Sequence, residues 1–199
     1  ILDSIEDPEE VIAEARRQRV PADILTFTEH LPDLTPRFNY RMEWDNLAVL
    51  PISTHEEWLR NQVHRNTRKA VRRAQRCGVV VQTYPFGREL AEKLVEIFNE
   101  TPIRRGKPYP YFGRTAEQVE QDWEPDVERS DFLLATLDSE PIGFIKLLYH
   151  QAFVRASGTI AKLSHRDKKP MNALLSRAVG VCAERHIPYL IDGKREYRG

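Results

Sequence analysis

The sequence predicts an α/β (α+β) fold, a sheet flanked by helices and preceded by an N-terminal helix/strand extension. Three observations carry this. From residue 78 onward the elements run strand, helix, helix, strand, strand, strand, helix, strand. The segments 131–138 and 141–150 meet at Asp138-Ser139-Glu140, which reads as a hairpin turn. The length, 199 residues with 41% hydrophobic and 30% charged, suits one domain with an extension.

At the N-terminus, Asp7-Pro8-Glu9-Glu10 opens a helix to about Arg19: Asp7 caps, Pro8 fits the first helical position, and the acids face the positive end of the dipole. Residues 23–28 and 39–52 alternate and are read as short strands. Ser53/Glu56 and Thr54/Glu57 form overlapping capping boxes before a long helix that Gly78 ends. Val79–Tyr84 is a strand. Residues 88–100 are a helix with Leu90, Leu94, Ile97 and Phe98 at core spacing. A loop rich in Pro, Gly, Tyr and Arg fills 101–114, and Thr115/Gln118 caps the next helix. Residues 153–164 form a third strand. Pro170 starts a helix to about His186 with Leu174, Ala178 and Cys182 on one line, and 187–191 is the last strand. The expected division is an extension at 1–54, a basic linking helix at 55–77 and the main domain at 78–199.

Thirty acids balance 30 bases, so net charge selects no partner. Their distribution is uneven: 1–15 carry six acids and no Lys or Arg, and 60–76 carry seven Lys/Arg and no acid. Cys77 and Cys182 fit no metal or redox motif and read as inert thiols. No run of 18 apolar residues and no signal-peptide layout occurs, so a cytoplasmic location is expected. The chain begins at Ile1, and the natural protein is expected to continue past Gly199. Among six His there is no metal-spaced pair, so no metal is expected. Walker, Gly-x-Gly-x-x-Gly and Gly-x-Ser-x-Gly motifs are missing.

The element order resembles the GNAT acyltransferase superfamily, whose sheet is mixed and mostly antiparallel and whose strand–turn–helix unit binds the acyl donor. Glu140-Pro141-Ile142-Gly143-Phe144-Ile145-Lys146 resembles the GNAT hairpin. Asn66–Ala74 before Cys77-Gly78-Val79 is similar to the lead-in of the FemAB-like branch, which moves amino acids from aminoacyl-tRNA onto peptidoglycan precursors. The loop Asn99-Glu100-Thr101-Pro102-Ile103-Arg104 resembles uncharacterised bacterial GNAT-like proteins. The likeness covers about 55–193.

The resemblance implies that donor phosphate lies at residues 166–172. GNAT members place Arg/Gln, two residues, Gly, one residue, Gly/Ala between strand and helix, so that backbone N–H groups approach a pyrophosphate. Here Arg166 holds the first position, while Lys169 and Met171 replace both glycines. Arg166, Lys168, Lys169, Met171 and Asn172 are the expected cofactor-binding residues, with side-chain charge standing in for close backbone approach. The alternative is a charged surface turn.

The resemblance also implies that the acceptor lies under the 101–114 loop. Arg104, Arg105, Lys107, Tyr111 and the strand lysine Lys146 would bind a small, anionic molecule; packed loop aromatics and a wet sheet face are the structural alternatives. The basic helix offers Arg65, Arg68, Lys69, Arg72, Arg73 and Arg76 to tRNA or an anionic lipid head group, or serves as a solvated face. Acyl transfer to an amine needs a base and an acid, and Glu100, Asp192 and Tyr197 are the candidates. The leading expectation is transfer from acyl-CoA or acetyl-CoA to an amine. Aminoacyl-tRNA as donor and a non-catalytic binding module are the two rivals.

Overall fold

A computed structural model describes residues 5–29, 35–44 and 47–194 of the chain. It divides into two compact units, 1–44 and 45–199. The boundary thus lies ten residues earlier than expected, because β1 (Leu47–Pro51) belongs to the central sheet.

In the first unit, α1 (Pro8–Arg17) is capped by the Asp7 carboxylate, which accepts from the Glu9 and Glu10 amides. Tyr40 donates to Glu9, and Phe27, Phe38 and Tyr40 stack edge-on or tilted. The strands expected at 23–28 and 39–44 are replaced by an isolated bridge at Phe27 and irregular chain. Residues 45–46 of that expectation lie outside the described residues.

The second unit holds a six-stranded sheet in the order β1-β8-β7-β6-β5-β2. β2 (Val80–Tyr84), β5 (Ser130–Leu137), β6 (Glu140–Tyr149) and β7 (Val154–Ala161) form antiparallel neighbours. β8 (Tyr189–Lys194) runs parallel to β7 and antiparallel to β1. The β5–β6 turn is Asp138-Ser139 with both φ positive, the type I′ geometry that matches strand twist.

Two apolar clusters cover the two sheet faces. On one face α6 (Pro170–Glu184) and α3 (Arg65–Arg76) bury Leu133, Ile145, Leu147, Val154, Ala74 and Leu174. On the other, α4 (Arg88–Phe98) and α5 (Ala116–Trp123) bury Phe132, Leu134, Phe144 and Ile160. Val154 and Ala156 of β7 belong to the first cluster but Ile160 to the second. That parity change comes from a bulge: β6 steps from Phe144 to Lys146 while β7 steps from Ile160 to Ser157. Gly158 makes the bulge with φ +60. A Cβ there would meet Trp123 at 2.4 Å, so both conformation and space select glycine.

The long helix expected over 55–76 is broken. α2 (His55–Glu57) runs into a π turn, Trp58–Gln62, and Val63 and His64 are extended before α3 starts. Arg68 secures the break by donating from Nη1 to the carbonyls of Arg60 (2.5 Å) and Val63 (3.2 Å). α3 is not a linker, since its Val71 and Ala74 are buried and it packs along α6. Among the described residues no helix is long and apolar enough to cross a membrane.

Candidate active site

Parallel strands joined through a helix leave a crevice at their carboxyl ends. Here β7 and β8 pair only at Val154↔Leu190 and Arg155↔Ile191. Beyond Arg155, β7 keeps β6 on one side and has no paired strand on the other among the described residues. The bulge at Gly158 lies in that stretch. The connection to α6 leaves the end of β7, and Gly143 lets α6 close over it: a Cβ at Gly143 would lie 2.9 Å from Leu174 Cδ1.

Residues 166–168 form a 3₁₀ turn, and Lys169 follows in the left-handed conformation at φ 61, a shape that favours glycine. Three of the four amides of residues 166–169 are satisfied by nearby carbonyls. Arg166 N–H donates to Leu163, Lys168 N–H to His165 at 2.9 Å, and Lys169 N–H to Arg166. Pro170 has no N–H, and the Asn172 amide returns to Lys169 O at 3.1 Å. No side chain caps α6. Main-chain donors for a pyrophosphate are therefore largely engaged. Met171, expected beside the donor, packs partly buried against the apolar cluster beneath. Arg166 is exposed; Lys168 and Lys169 are half-buried.

The sequence reading missed that this turn and the basic helix are neighbours. Asp167 lies between them, 2.9 Å from Lys168 Nζ and 3.9 Å from Arg73 Nη2. Lys168's cationic form is favoured first by its hydrogen bond to Asp167. The adjoining face of α3 forms an open basin of about 820 Å³ lined by Lys69, Arg72, Arg73, Gln75 and Arg76. All five are exposed. Among the described residues no carboxylate pairs with Lys69, Arg72 or Arg76. Arg68, by contrast, is engaged with backbone carbonyls. Helical spacing of three and four put these cations on one face in the sequence, but only the packing of α3 on α6 joins them to residues 166–168.

The 101–114 loop is built differently from the expectation. β3 (Ile103–Arg104) and β4 (Lys107–Pro108) form a small hairpin around Arg105-Gly106. Arg104 is turned inward: Nη1 donates to Ala161 O at 2.9 Å, and Nη2 to Glu100 Oε2 at 3.0 Å. Tyr111 stacks on Phe98 at 5.1 Å and lines the core near Trp123. Burial pushes the neighbouring Tyr109 phenol up to about 12. Arg105 and Lys107 are exposed and are the loop cations open to a ligand. Lys146 is buried, 6% exposed, with Nζ 3.3 Å from Asp126 and over the Trp123 ring at 5.5 Å. Its ammonium is thus paired inside the fold, which answers the cost of burying it. Anion binding by Arg104, Tyr111 and Lys146 is corrected to structural packing for this reason.

Glu100 is likewise engaged rather than poised. It accepts from the amides of Leu163 (2.7 Å) and Ser164 (2.8 Å), the Ser164 hydroxyl (2.7 Å) and Arg104. Burial pushes its pKa up, but the Ser164 and Leu163 amides, the Ser164 hydroxyl and the Arg104 charge outweigh burial and hold it below the usual 4.5. A carboxyl depressed in the folded state stabilises above the unfolded pKa, and that stability is lost as pH falls through the folded value. Glu100→Gln is expected to cost about 2–3 kcal/mol near neutral pH. The difference from wild type should narrow below pH 4.5. Urea melts at stepped pH check this, and a gap constant down to acid pH would rule it out.

Asp192 is exposed near the end of β8. It lies on the rim of a groove of about 400 Å³ whose walls are mainly apolar, including Leu47, Leu50, Trp58, Leu175 and Val179. Tyr197 lies outside the described residues. Cys182 is buried, and burial pushes its thiol up to about 12.

Among solved structures the chain is similar to FemX (TM-score 0.64, 14% identity, 77% of this chain and 54% of that one). It is also similar to L-PGS from Bacillus licheniformis (0.53, 14%, 78% and 47%). A third likeness is the C-terminal domain of a lysylphosphatidylglycerol synthetase from Agrobacterium fabrum, described as putative in its name (0.55, 11%, 77% and 48%). The fold is GNAT-type. The chain spans about half the length of these structures. No family model and no curated protein matches it. The 166–169 turn and the α3 basin adjoin through Asp167, and together with the β7–β8 crevice they are the candidate site.

Proposed function

We propose that this GNAT-type domain is an aminoacyltransferase whose donor is carried on an RNA, with the RNA phosphates held by side-chain cations. The observation that carries the reading is the pairing of two features. The 166–169 turn engages three of its four amides, and exposed Lys69, Arg72 and Arg76 lie beside it on α3. A compact CoA pyrophosphate favours converging main-chain donors. An extended polyanion is served by cations spread along a helix face. This agrees with what the FemAB-like resemblance implies and ranks acyl-CoA second.

In this reading the aminoacyl ester enters the crevice where β7 leaves β8. An acceptor amine attacks the ester carbonyl, forming the C–N bond and breaking the C–O bond to ribose. Asp192 takes the amine proton directly or through water, and the ribose hydroxyl regains one. The exposed Arg105 and Lys107 face the acceptor. Arg166, Lys168 and Lys169 hold the donor's phosphates, and Asn172 lies at the start of α6 beside them.

The test is transfer of label from tRNA charged with a mixture of labelled amino acids to a primary amine, with labelled acetyl-CoA in parallel. Asp192→Asn is expected to lower kcat by about 10²–10⁴-fold with donor affinity unchanged. Transfer from acetyl-CoA alone would replace the donor; RNA binding without transfer from either would make the domain a binding module.

Lys169→Gly separates donor binding from stability. Glycine relieves the left-handed backbone, so Tm is expected to hold within about 3 °C while donor affinity falls several-fold. Unchanged affinity would remove Lys169 from the site.

A further inference from the structure

Glu100 lies two residues beyond α4 and joins segments far apart in sequence. Its carboxylate accepts from two consecutive amides, Leu163 and Ser164, immediately upstream of the donor turn. Leu163 O in turn accepts from Arg166 N–H, so the orientation of that peptide passes into the turn. On its other side Glu100 holds Arg104, the last residue of β3. Arg104 also donates to Ile97 O at the end of α4 and to Ala161 O at the end of β7. It lies under Tyr109, 5.1 Å from the ring centre. Both side chains are mostly buried, 16% and 15% exposed. The loop is closed independently by Asn99 Oδ1, which accepts from Gly113 N–H at 2.7 Å. Loop closure alone therefore does not require the Glu100–Arg104 pair.

We propose that Glu100 and Arg104 are positioning residues that couple the β3–β4 hairpin to the donor turn, so that a ligand ordering one orders the other. The proposal rests on the reading of residues 166–169 as the donor turn. Two features make coupling the physical consequence. One carboxylate sets two adjacent peptide planes, and charge-assisted bonds in a sheltered site are strong and directional. One guanidinium spans hairpin, helix end and strand end, so neither segment shifts without the other losing a bond. Couplings of this kind run from about 5-fold to 150-fold in affinity and act in both directions.

Hydrogen exchange of the full chain tests this. Glu100→Gln keeps the size of the side chain but turns an NH₂ group toward donors on one side. Exchange is expected to quicken about tenfold or more in both 101–113 and 161–169, with 130–149 unchanged. In wild type, uncharged tRNA is expected to slow exchange in 101–113 as well as in 161–169, and in Glu100→Gln only the donor-turn effect should survive. Quickening confined to one segment, or tRNA protection of 101–113 that persists in the variant, would overturn the proposal. Ser164→Ala, which removes one hydrogen bond, should show the same paired pattern at smaller size and serves if Glu100→Gln fails to fold. If tRNA does not bind wild type, the donor reading fails, while the paired quickening still decides the clamp.

Discussion

Gly158→Ala is expected to destabilise the sheet domain by about 2–5 kcal/mol. Two causes add. The residue sits at φ +60, where a side chain costs about 1–2 kcal/mol. Its Cβ would also lie 2.4 Å from Trp123, and overpacking a tight core costs about 1–3 kcal/mol more. Trp123 cannot retreat freely, since Phe144 is centred 5.1 Å away and Phe98 and Tyr111 at 6.5 Å. For a domain of this size the drop corresponds to roughly 5–15 °C in Tm, read by calorimetry. Adding Trp123→Phe removes the ring atoms in the way and should recover part of the Gly158→Ala loss in a double-mutant cycle. A Tm change under about 2 °C for Gly158→Ala would contradict the bulge geometry.

Neutralising the α3 basin is expected to have the largest effect on ligand binding. Lys69→Ala/Arg72→Ala/Arg76→Ala removes three exposed cations that pair with no described carboxylate. Surface charges of this sort add little to folding, so Tm should stay within a few degrees. For RNA binding, each phosphate contact contributes about 0.7–0.9 to the slope of log K against log salt. The triple variant should therefore lose about 2–3 from that slope and roughly 10- to 100-fold in affinity at low salt. Arg68→Ala is the contrasting variant: Arg68 secures the π turn through carbonyls, so it should lower stability more than it changes the slope. An unaltered slope in the triple variant would take the basin out of the site.

Much of the fold was legible because its signals are local. The Thr115/Gln118 capping box forms with both reciprocal bonds, Asp7 caps α1, and Asp138-Ser139 makes the predicted turn. The Leu174, Ala178, Cys182 line is buried on α6. What failed depends on contacts distant in sequence. β1 is a strand because β8 pairs with it along its length; residues 23–28 make only a single bridge at Phe27. The break at Val63-His64 is held by Arg68, which periodicity counts only as a polar helix residue. Glu100 looked like a base because its four donors come from Arg104 and from residues 163–164, more than sixty positions away. Arg104 and Tyr111 looked like ligand groups because loop position says nothing of which way a side chain turns. One signal was available and unused: Ser157-Gly158-Thr159 interrupts an alternating strand, and glycine there marks a bulge.

The central claim is that side-chain charge on α3 and the 166–169 turn, in place of main-chain amides, holds the donor. Equilibrium binding of wild type to uncharged tRNA and to CoA across a salt series tests it most directly. The expected result is tRNA binding that weakens steeply with salt, with CoA binding much weaker at every salt concentration. Tight CoA binding, together with tRNA binding absent or indifferent to salt, would contradict it.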